Sequence, residues 1–310
     1  MEHYKNPTIA FLIVAHTKPE QLNTFIKQLL AYQGSYVYIH IDEKSKYMLS
    51  EILDDERVKV LPEHYDVRWG DYSQIVVNNA LFDFARKIRH HDFYSLHSGM
   101  DMAIRPIKEY AEYLNATNLY GYYVCSKLPN HWQYGGGLAR LQLYWPKCFR
   151  NKLSEHSPLR YLRAAYGRAF AKGIIKGKKL PEEYQLYGGA DWFTIREDCV
   201  NDMFEFLERD PKYQKLFVHS LSGAEIYYVT LFEMLKNDRQ VCNSTSLRFA
   251  DHRTKGKNKA VGSPNICTME YVPLLERTGV FFARKFDMDI DGSVVEYFAQ
   301  KSTIGKVIPQ

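Results

Sequence analysis

Three groups of residues in this chain have types and spacings that could do chemistry. The first is FARKFDMDIDG, Phe282 to Gly292, where Asp287, Asp289 and Asp291 alternate just after Arg284 and Lys285. A calcium loop on that spacing needs a bidentate Glu at its twelfth position. Counted from Asp287, that position is Phe298, and Glu296 stands two residues too early. An Asp-x-Asp pair can also hold a metal for nucleotide-sugar chemistry, but such a pair normally ends a central strand, not the last segment. The expectation is that Asp289 or Asp291 caps the following helix, and that no metal is bound.

The second group is Glu225, which follows SLSGA at the start of an apolar helical run. A carboxylate there can deprotonate a sugar hydroxyl within hydrogen-bond reach, or simply complement the helix dipole. The third group is basic: Arg253, Lys255, Lys257, Lys259, Arg284 and Lys285. Such cations can replace Mg²⁺ in stabilising charge on a leaving diphosphate. The charges in FARKF are set apart from an ordinary solvated loop by their apolar neighbours.

Other chemistries find no support. The sequence has no G-x-x-x-x-G-K-[ST], G-x-G-x-x-G, G-x-S-x-G or H-E-x-x-H, and its five cysteines include no C-x-x-C pair. A disulfide framework and a zinc site are therefore not indicated. A net charge of +5 is too mild to argue for nucleic acid but suits an anionic ligand. The 24 Tyr and 17 Phe fit either core packing or a stacking surface for carbohydrate.

The elements that must position these residues follow from periodicity. IAFLIVAH (Ile9 to His16) is a near-continuous apolar run, as in a strand covered on both faces. Leu22, Phe25, Ile26, Leu29 and Leu30 recur at helical spacing behind Thr17 or Pro19. YVYIHID and RVKVLP read as strands, Gln74 to Ile88 as a helix, and DFYSLHSGMD as a strand entering a turn. This order predicts an α/β fold with a mostly parallel, doubly wound sheet flanked by helices. Ligands bind beyond the carboxyl ends of such strands, which here carry His16, Asp42 and Asp101. YGYYVCSKL reads as one further strand, and ADWFTIREDCV as a strand running into a helix. Residues 252–265 read as a loop. With no repeat and no clear linker, a single domain over 1–310 is expected, with a nucleotide-sugar half at 1–118 and an acceptor and catalytic half at 119–310.

Residues 147–179 hold ten Lys or Arg against the single acid Glu155. LRYLRAAYGRAFAKGII within them places Leu159, Leu162, Tyr166 and Phe170 on one helical face. Two readings stand: a solvated basic helix over the core, or an interfacial helix on anionic lipid. No apolar stretch approaches the ~18 residues of a spanning helix, and the N-terminus reads as a strand, not a signal peptide. The expected location is the cytoplasm, with peripheral contact on the inner face of the membrane.

Taken together, these stretches resemble the core-2/I-branching β-1,6-N-acetylglucosaminyltransferases and their bacterial and plant relatives. IAFLIVAHTKPEQL resembles the family's opening strand and turn, and YIHIDEKS its I-H-x-D-x-K segment. WGDYSQI is similar to the stretch before its long helix, and HSGMDMAI to S/C-G-x-D-x-P-I, with Ala103 in place of proline. GGADWFTIREDCV, SGAE and FARKFDMDID are similar to later family segments. The seven pieces stand in the family's order over most of the chain.

The resemblance implies a glycosyltransferase-A-type fold and an inverting, metal-independent reaction needing no cofactor beyond a UDP-sugar. It implies that Glu225 is the catalytic base and that Lys285 contacts the diphosphate, with Arg284, Arg253 and Lys259 as further candidates there. A second family phosphate ligand, an arginine, falls near Gly262, so its role would pass to a neighbouring cation. His16, Asp42 and Asp101 would line the nucleotide pocket, with Asp42 on uridine. Trp192 and Asp191 fall in the acceptor-side segment, and Trp132 lies in HWQYGGG, which departs from the animal acceptor region. The donor expected is UDP-N-acetylglucosamine, with UDP-xylose, UDP-glucuronic acid and UDP-galactose as alternatives. The acceptor expected is a glycan or lipid-linked glycan of bacterial surface polysaccharide synthesis. The rival reading is a catalytically decayed glycan-binding protein on the same scaffold. Nucleic acid is not an expected partner.

Overall fold

A computed structural model of the chain describes residues 6–154, 156–253 and 263–303. Its strands are β1 (Ile9–Ala15), β2 (Ser35–Ile41), β3 (Val58–Val60), β4 (Phe93–Ser98), β5 (Asp101–Ala103), β6 (Gly121–Tyr122), β7 (Cys125–Lys127), β8 (Tyr187–Gly189), β9 (Thr194–Arg196), β10 (Val241–Cys242), β11 (Arg248–Ala250) and β12 (Phe282–Arg284). The central sheet has the order β10-β6-β9-β4-β1-β2-β3. β1 pairs in parallel with both β2 and β4, and β2 with β3, whereas β9 runs antiparallel to β4 and β6. The expected α/β fold with a mostly parallel, doubly wound sheet is present.

Alternation along β1 divides the core. Phe11 and Ile13 face the helices Pro19–Leu30, Ile107–Thr117 and Gly292–Thr303; Ala10 and Leu12 face Ser73–Ile88, Glu197–Arg209 and Ala224–Leu235. Both sheet faces are thus covered, which is why β1 reads as an unbroken apolar run. Helix Pro19–Leu30 starts on a proline whose fixed φ suits the first helical position.

Two departures from the sequence reading shape the site. YGYYVCSKL is not one strand: β6 joins the central sheet, whereas β7 pairs antiparallel with β8. A separate three-stranded sheet, β11-β12-β5, draws Arg248, Arg284 and Asp101 together from three distant segments.

The basic stretch is built over a small apolar cluster of Ala139, Leu143 and Trp145, joined by Tyr166 and Phe170 of helix Pro158–Ala171. Leu159 and Leu162, expected on that same inner face, point out instead, being 36% and 57% exposed. Among the described residues, no helix is long and apolar enough to cross a membrane.

Candidate active site

Helix Ala224–Leu235 is apolar almost all round and lies in the core, with Ile226 through Phe232 buried. It carries two carboxylates: Glu233, which pairs with Lys236, and Glu225 in its first turn. The loop before it is clamped on both sides: Leu221 N–H donates to the Arg140 carbonyl at 3.1 Å and Ser222 N–H to the Gly70 carbonyl at 2.8 Å. Glu225 therefore sits at the open end of a buried helix, and Arg140 Nη1 donates to its Oε2 at 2.5 Å. The Arg140 guanidinium lies over the Trp132 ring, 4.0 Å from its centroid.

Glu225 lines a cleft of about 760 Å³ whose walls also carry Trp69, Trp132, Asp191, Trp192, Arg248, His252, Arg284 and Lys285. Asp191 and Trp192 come from the turn between β8 and β9. Burial, and then the Glu225 carboxylate, push the Asp191 pKa up to about 6. The Glu225–Asp191 wall is thus acidic and crowded, the environment in which one carboxyl readily keeps its proton.

The opposite wall is basic, and the three-stranded sheet explains why. Register places Arg284 beside Asp101 across the β12–β5 pair. The fully buried Asp101 lies 3.0 Å from Arg248 Nε and 3.5 Å from Arg284 Nε, and it accepts from Ser98 Oγ at 2.9 Å. Burial alone would raise the Asp101 pKa, but the two guanidinium groups override it and hold the carboxyl below its usual range. His97 cannot supply further charge to the cluster. Burial, and then Arg248, push its pKa down to about 4, and Arg248 Nη2 meets its Nδ1 at 2.8 Å. Two guanidinium groups thus share one carboxylate, leaving one positive charge in excess. Arg248 Nη1 is buried with no hydrogen-bond partner among the described residues. The Arg284 guanidinium stacks 4.3 Å from the centroid of the Trp192 ring.

Half-buried Lys285 adds a further cation. Burial, then Arg284 and Lys152, push its pKa down to about 8 against the opposing pull of Asp101 and Asp191.

Of the residues singled out in the sequence, Glu225, Asp191, Trp132, Trp192, Arg284 and Lys285 meet in this one cleft. The others do not. Asp101 lies behind the wall as the counter-ion of two arginines, not as a pocket-lining residue. Asp42, expected on uridine, is buried and has its oxygens occupied by the Lys44 and Val67 N–H groups, each at 3.0 Å. His16 is exposed and does not line the cleft; desolvation, and then nearby Lys285, lower its pKa. Arg253 projects into solvent and is tied to Asp251, Nε to Oδ1 at 2.8 Å. Lys255, Lys257, Lys259 and Gly262 lie outside the described residues.

Asp287 and Asp289 both pair with Lys18. Asp291 caps the final helix, accepting from Val294 N–H at 3.3 Å, and also accepts from Met269 N–H at 2.8 Å. The capping expectation therefore holds for Asp291.

Arg248 and Arg140 were not among the sequence candidates. Arg248 sits in SLRFAD, flanked by Leu247 and Phe249 much as Arg284 is flanked in FARKF, a signal that could have found it. Arg140 carries no comparable signal, because its partner is 85 residues away.

Comparison with known proteins gives the chain's family. The family model "Branch: Core-2/I-Branching enzyme" matches residues 9–275. The chain is similar to the xylosyltransferase oxt of Drosophila melanogaster, 25% identical over 95% of this chain and 33% of that protein. It is likewise similar to a xylosyltransferase of Ciona intestinalis, 24% identical over 93% of this chain and 33% of that protein. The chain thus spans about a third of the length of these curated relatives. Among solved structures it overlaps the apo form of mouse xyloside xylosyltransferase 1 with a TM-score of 0.36 and 10% identity, over 89% of this chain and 97% of that one.

Proposed function

This chain belongs to the Core-2/I-Branching enzyme family, and we propose that it is an inverting, metal-independent glycosyltransferase that moves a sugar from UDP to a hydroxyl of a glycan or lipid-linked glycan. One observation carries the reading: a single cleft holds a carboxylate on a helix end, Glu225, opposite a basic wall of Arg248, Arg284 and Lys285.

In the proposed step the acceptor hydroxyl gives its proton to Glu225 as its oxygen bonds to the anomeric carbon from the face opposite UDP. The bond from that carbon to the diphosphate oxygen breaks, and UDP leaves with the electron pair. Lys285 and Arg284 meet the charge that develops on the diphosphate, and Arg248 reinforces them from below. Fixed cations in a partly dry site stabilise such charge with little reorganisation. Trp132 and Trp192 offer apolar faces to sugar rings.

The similarity to xylosyltransferases puts UDP-xylose first among donors, with UDP-N-acetylglucosamine second on the strength of the branching-enzyme motifs. The test is UDP release across UDP-xylose, UDP-N-acetylglucosamine, UDP-glucuronic acid and UDP-galactose, with and without EDTA. Release from one donor that Glu225→Gln abolishes supports the reading. Loss of activity in EDTA with recovery in Mn²⁺ overturns metal independence. Glycan binding with no UDP release from any donor would favour a decayed, purely binding scaffold.

A further inference from the structure

The basic segment after the cleft presents a surface that neither the fold nor the transfer reaction uses. Helix Pro158–Ala171 buries only Gly167 completely. Its inner face, through Tyr166 and Phe170, rests on the small cluster around Trp145. Its outer stripe of Tyr161, Ala165, Arg168 and Lys172 follows the spacing of one helical face, and every member is exposed.

Large apolar side chains stand in solvent around that stripe: Tyr161 is 64% exposed, Leu162 57% and Ile174 74%. Exposed Lys172, Lys176 and Lys179 lie beside them in the sequence. Arg168 Nε donates only to its own helix, at the Ala164 carbonyl. No salt bridge to an acidic side chain is found for any of these four cations among the described residues, although acid–base pairs are common elsewhere on the surface. A merely solvated basic helix would not need three large apolar groups beside its charges. Cations interleaved with exposed Leu, Ile and Tyr match the layered chemistry of an anionic bilayer, with phosphates outside and acyl chains within.

We propose that residues 158–179 dock this protein on an anionic lipid surface, with Leu162, Tyr161 and Ile174 entering the headgroup boundary and Arg168, Lys172, Lys176 and Lys179 meeting lipid phosphates. The inner side of the same helix supports the cleft: Phe170 packs under Gly135, in the loop that carries Trp132, and the Arg163 guanidinium lies 5.6 Å from the centroid of the Trp69 ring. Docking there brings the Trp132 side of the cleft close to the membrane, where a lipid-linked acceptor would be presented. That last consequence rests on the proposed transfer reaction; the docking itself does not.

The experiment is co-sedimentation of the full chain with vesicles of phosphatidylcholine, with and without phosphatidylglycerol, at low and high salt. Binding only to the anionic vesicles, weakened by salt, is expected. Each lysine removed in Lys172→Ala or Lys176→Ala should weaken binding about fivefold. Leu162→Glu and Ile174→Glu should abolish it while leaving the thermal midpoint and UDP release in solution unchanged. No binding to anionic vesicles overturns the proposal, as does binding that the four variants leave unaltered. Retention by single-stranded RNA but not by vesicles also overturns it, naming a polyanion in place of a membrane. UDP release separates this from the transfer reaction, because that readout can fail while docking persists, and the reverse.

Discussion

Arg140 Nη1 lies 2.5 Å from Glu225 Oε2, and the same guanidinium covers the Trp132 ring. The carboxylate expected to act as base is thus held by a cation that is itself stacked on Trp132 in the same cleft. Both side chains are partly open, at 26% and 31%, so the pair contributes only about 0–1 kcal/mol to stability. Its value is orientation. Oε2 is engaged by Arg140, and no hydrogen bond to Oε1 is found among the described residues.

Glu225→Gln keeps the shape and removes the base. Its turnover should fall by about 10²- to 10⁴-fold, with UDP affinity measured by calorimetry unchanged. Arg140→Met should lower kcat about tenfold, a loss of ~1.4 kcal/mol of transition-state stabilisation, while the KM for the UDP-sugar holds. Equal kcat in Arg140→Met and the parent would remove any positioning role for Arg140.

Asp101 is a structural counter-ion, and its removal should show in stability before function. Asp101→Asn leaves the buried Arg248 and Arg284 without their shared carboxylate, which should cost about 3–5 kcal/mol in denaturant unfolding. The pH dependence has a definite sign. The folded-state pKa of Asp101 is depressed below the ordinary 3.8, so the folded protein binds fewer protons than the unfolded chain. Its contribution is complete above that ordinary value and is lost as pH falls below it. The parent should therefore lose stability on acidification below about pH 4, and Asp101→Asn should lose less over the same range.

The main strands and helices were legible because each spans enough residues to display a period: β1 with its apolar run, Gln74 to Ile88 with its stripe. The three-stranded sheet was not. β5, β11 and β12 have three residues each, too few for a pattern, and they pair across long sequence separations. That is why Asp101 was expected to line the nucleotide pocket when it lies beneath the arginines, and why Arg248 was passed over. Lys285 and Glu225 were legible because an apolar frame and a helix start mark them locally. The three aspartates of DMDIDG were only half legible: the cap at Asp291 could be expected from the sequence, the partner of the other two could not. Their spacing suggests a metal, but Lys18, from the other end of the chain, pairs with two of them.

Lys285 gives a prediction in which binding and stability move in opposite directions. Its folded-state pKa is pushed down to about 8 from 10.5, so between those values the unfolded chain holds the proton more often than the folded one. Stability should therefore rise as pH increases through that window. UDP affinity should fall over the same window, because the free protein loses the ammonium that meets the diphosphate. Calorimetric titration with UDP at a series of pH values, beside thermal melts of the free protein, reads both. A UDP affinity that is flat above pH 8 in the parent, and no weaker in Lys285→Met, would remove Lys285 from the diphosphate site.

The Trp132 side of the cleft can be tested through the glycine packed against the ring. Trp132 packs closely against two glycines: a Cβ on Gly188 would lie 2.8 Å from the ring, and one on Gly137, whose φ is +91°, would lie 2.9 Å away. Gly188 lies in β8 without a positive φ, so alanine is strained there chiefly by the ring it meets, with Leu128 Cδ2 next at 3.1 Å. Gly188→Ala must push Trp132 outward, and with it the Arg140 guanidinium that covers the ring. Overpacking of this kind costs about 1–3 kcal/mol, so the variant should fold with a lowered midpoint. Its kcat/KM toward acceptor should fall about tenfold or more, since misplacement by 1 Å at such a site is costly, while UDP release by simple hydrolysis of the donor changes little. Trp132→Ala removes the obstructed ring, so adding Gly188→Ala to that background should lower stability and transfer far less than it does in the parent. Full additivity of the two substitutions in stability and transfer would mean that Gly188 acts by some route other than Trp132.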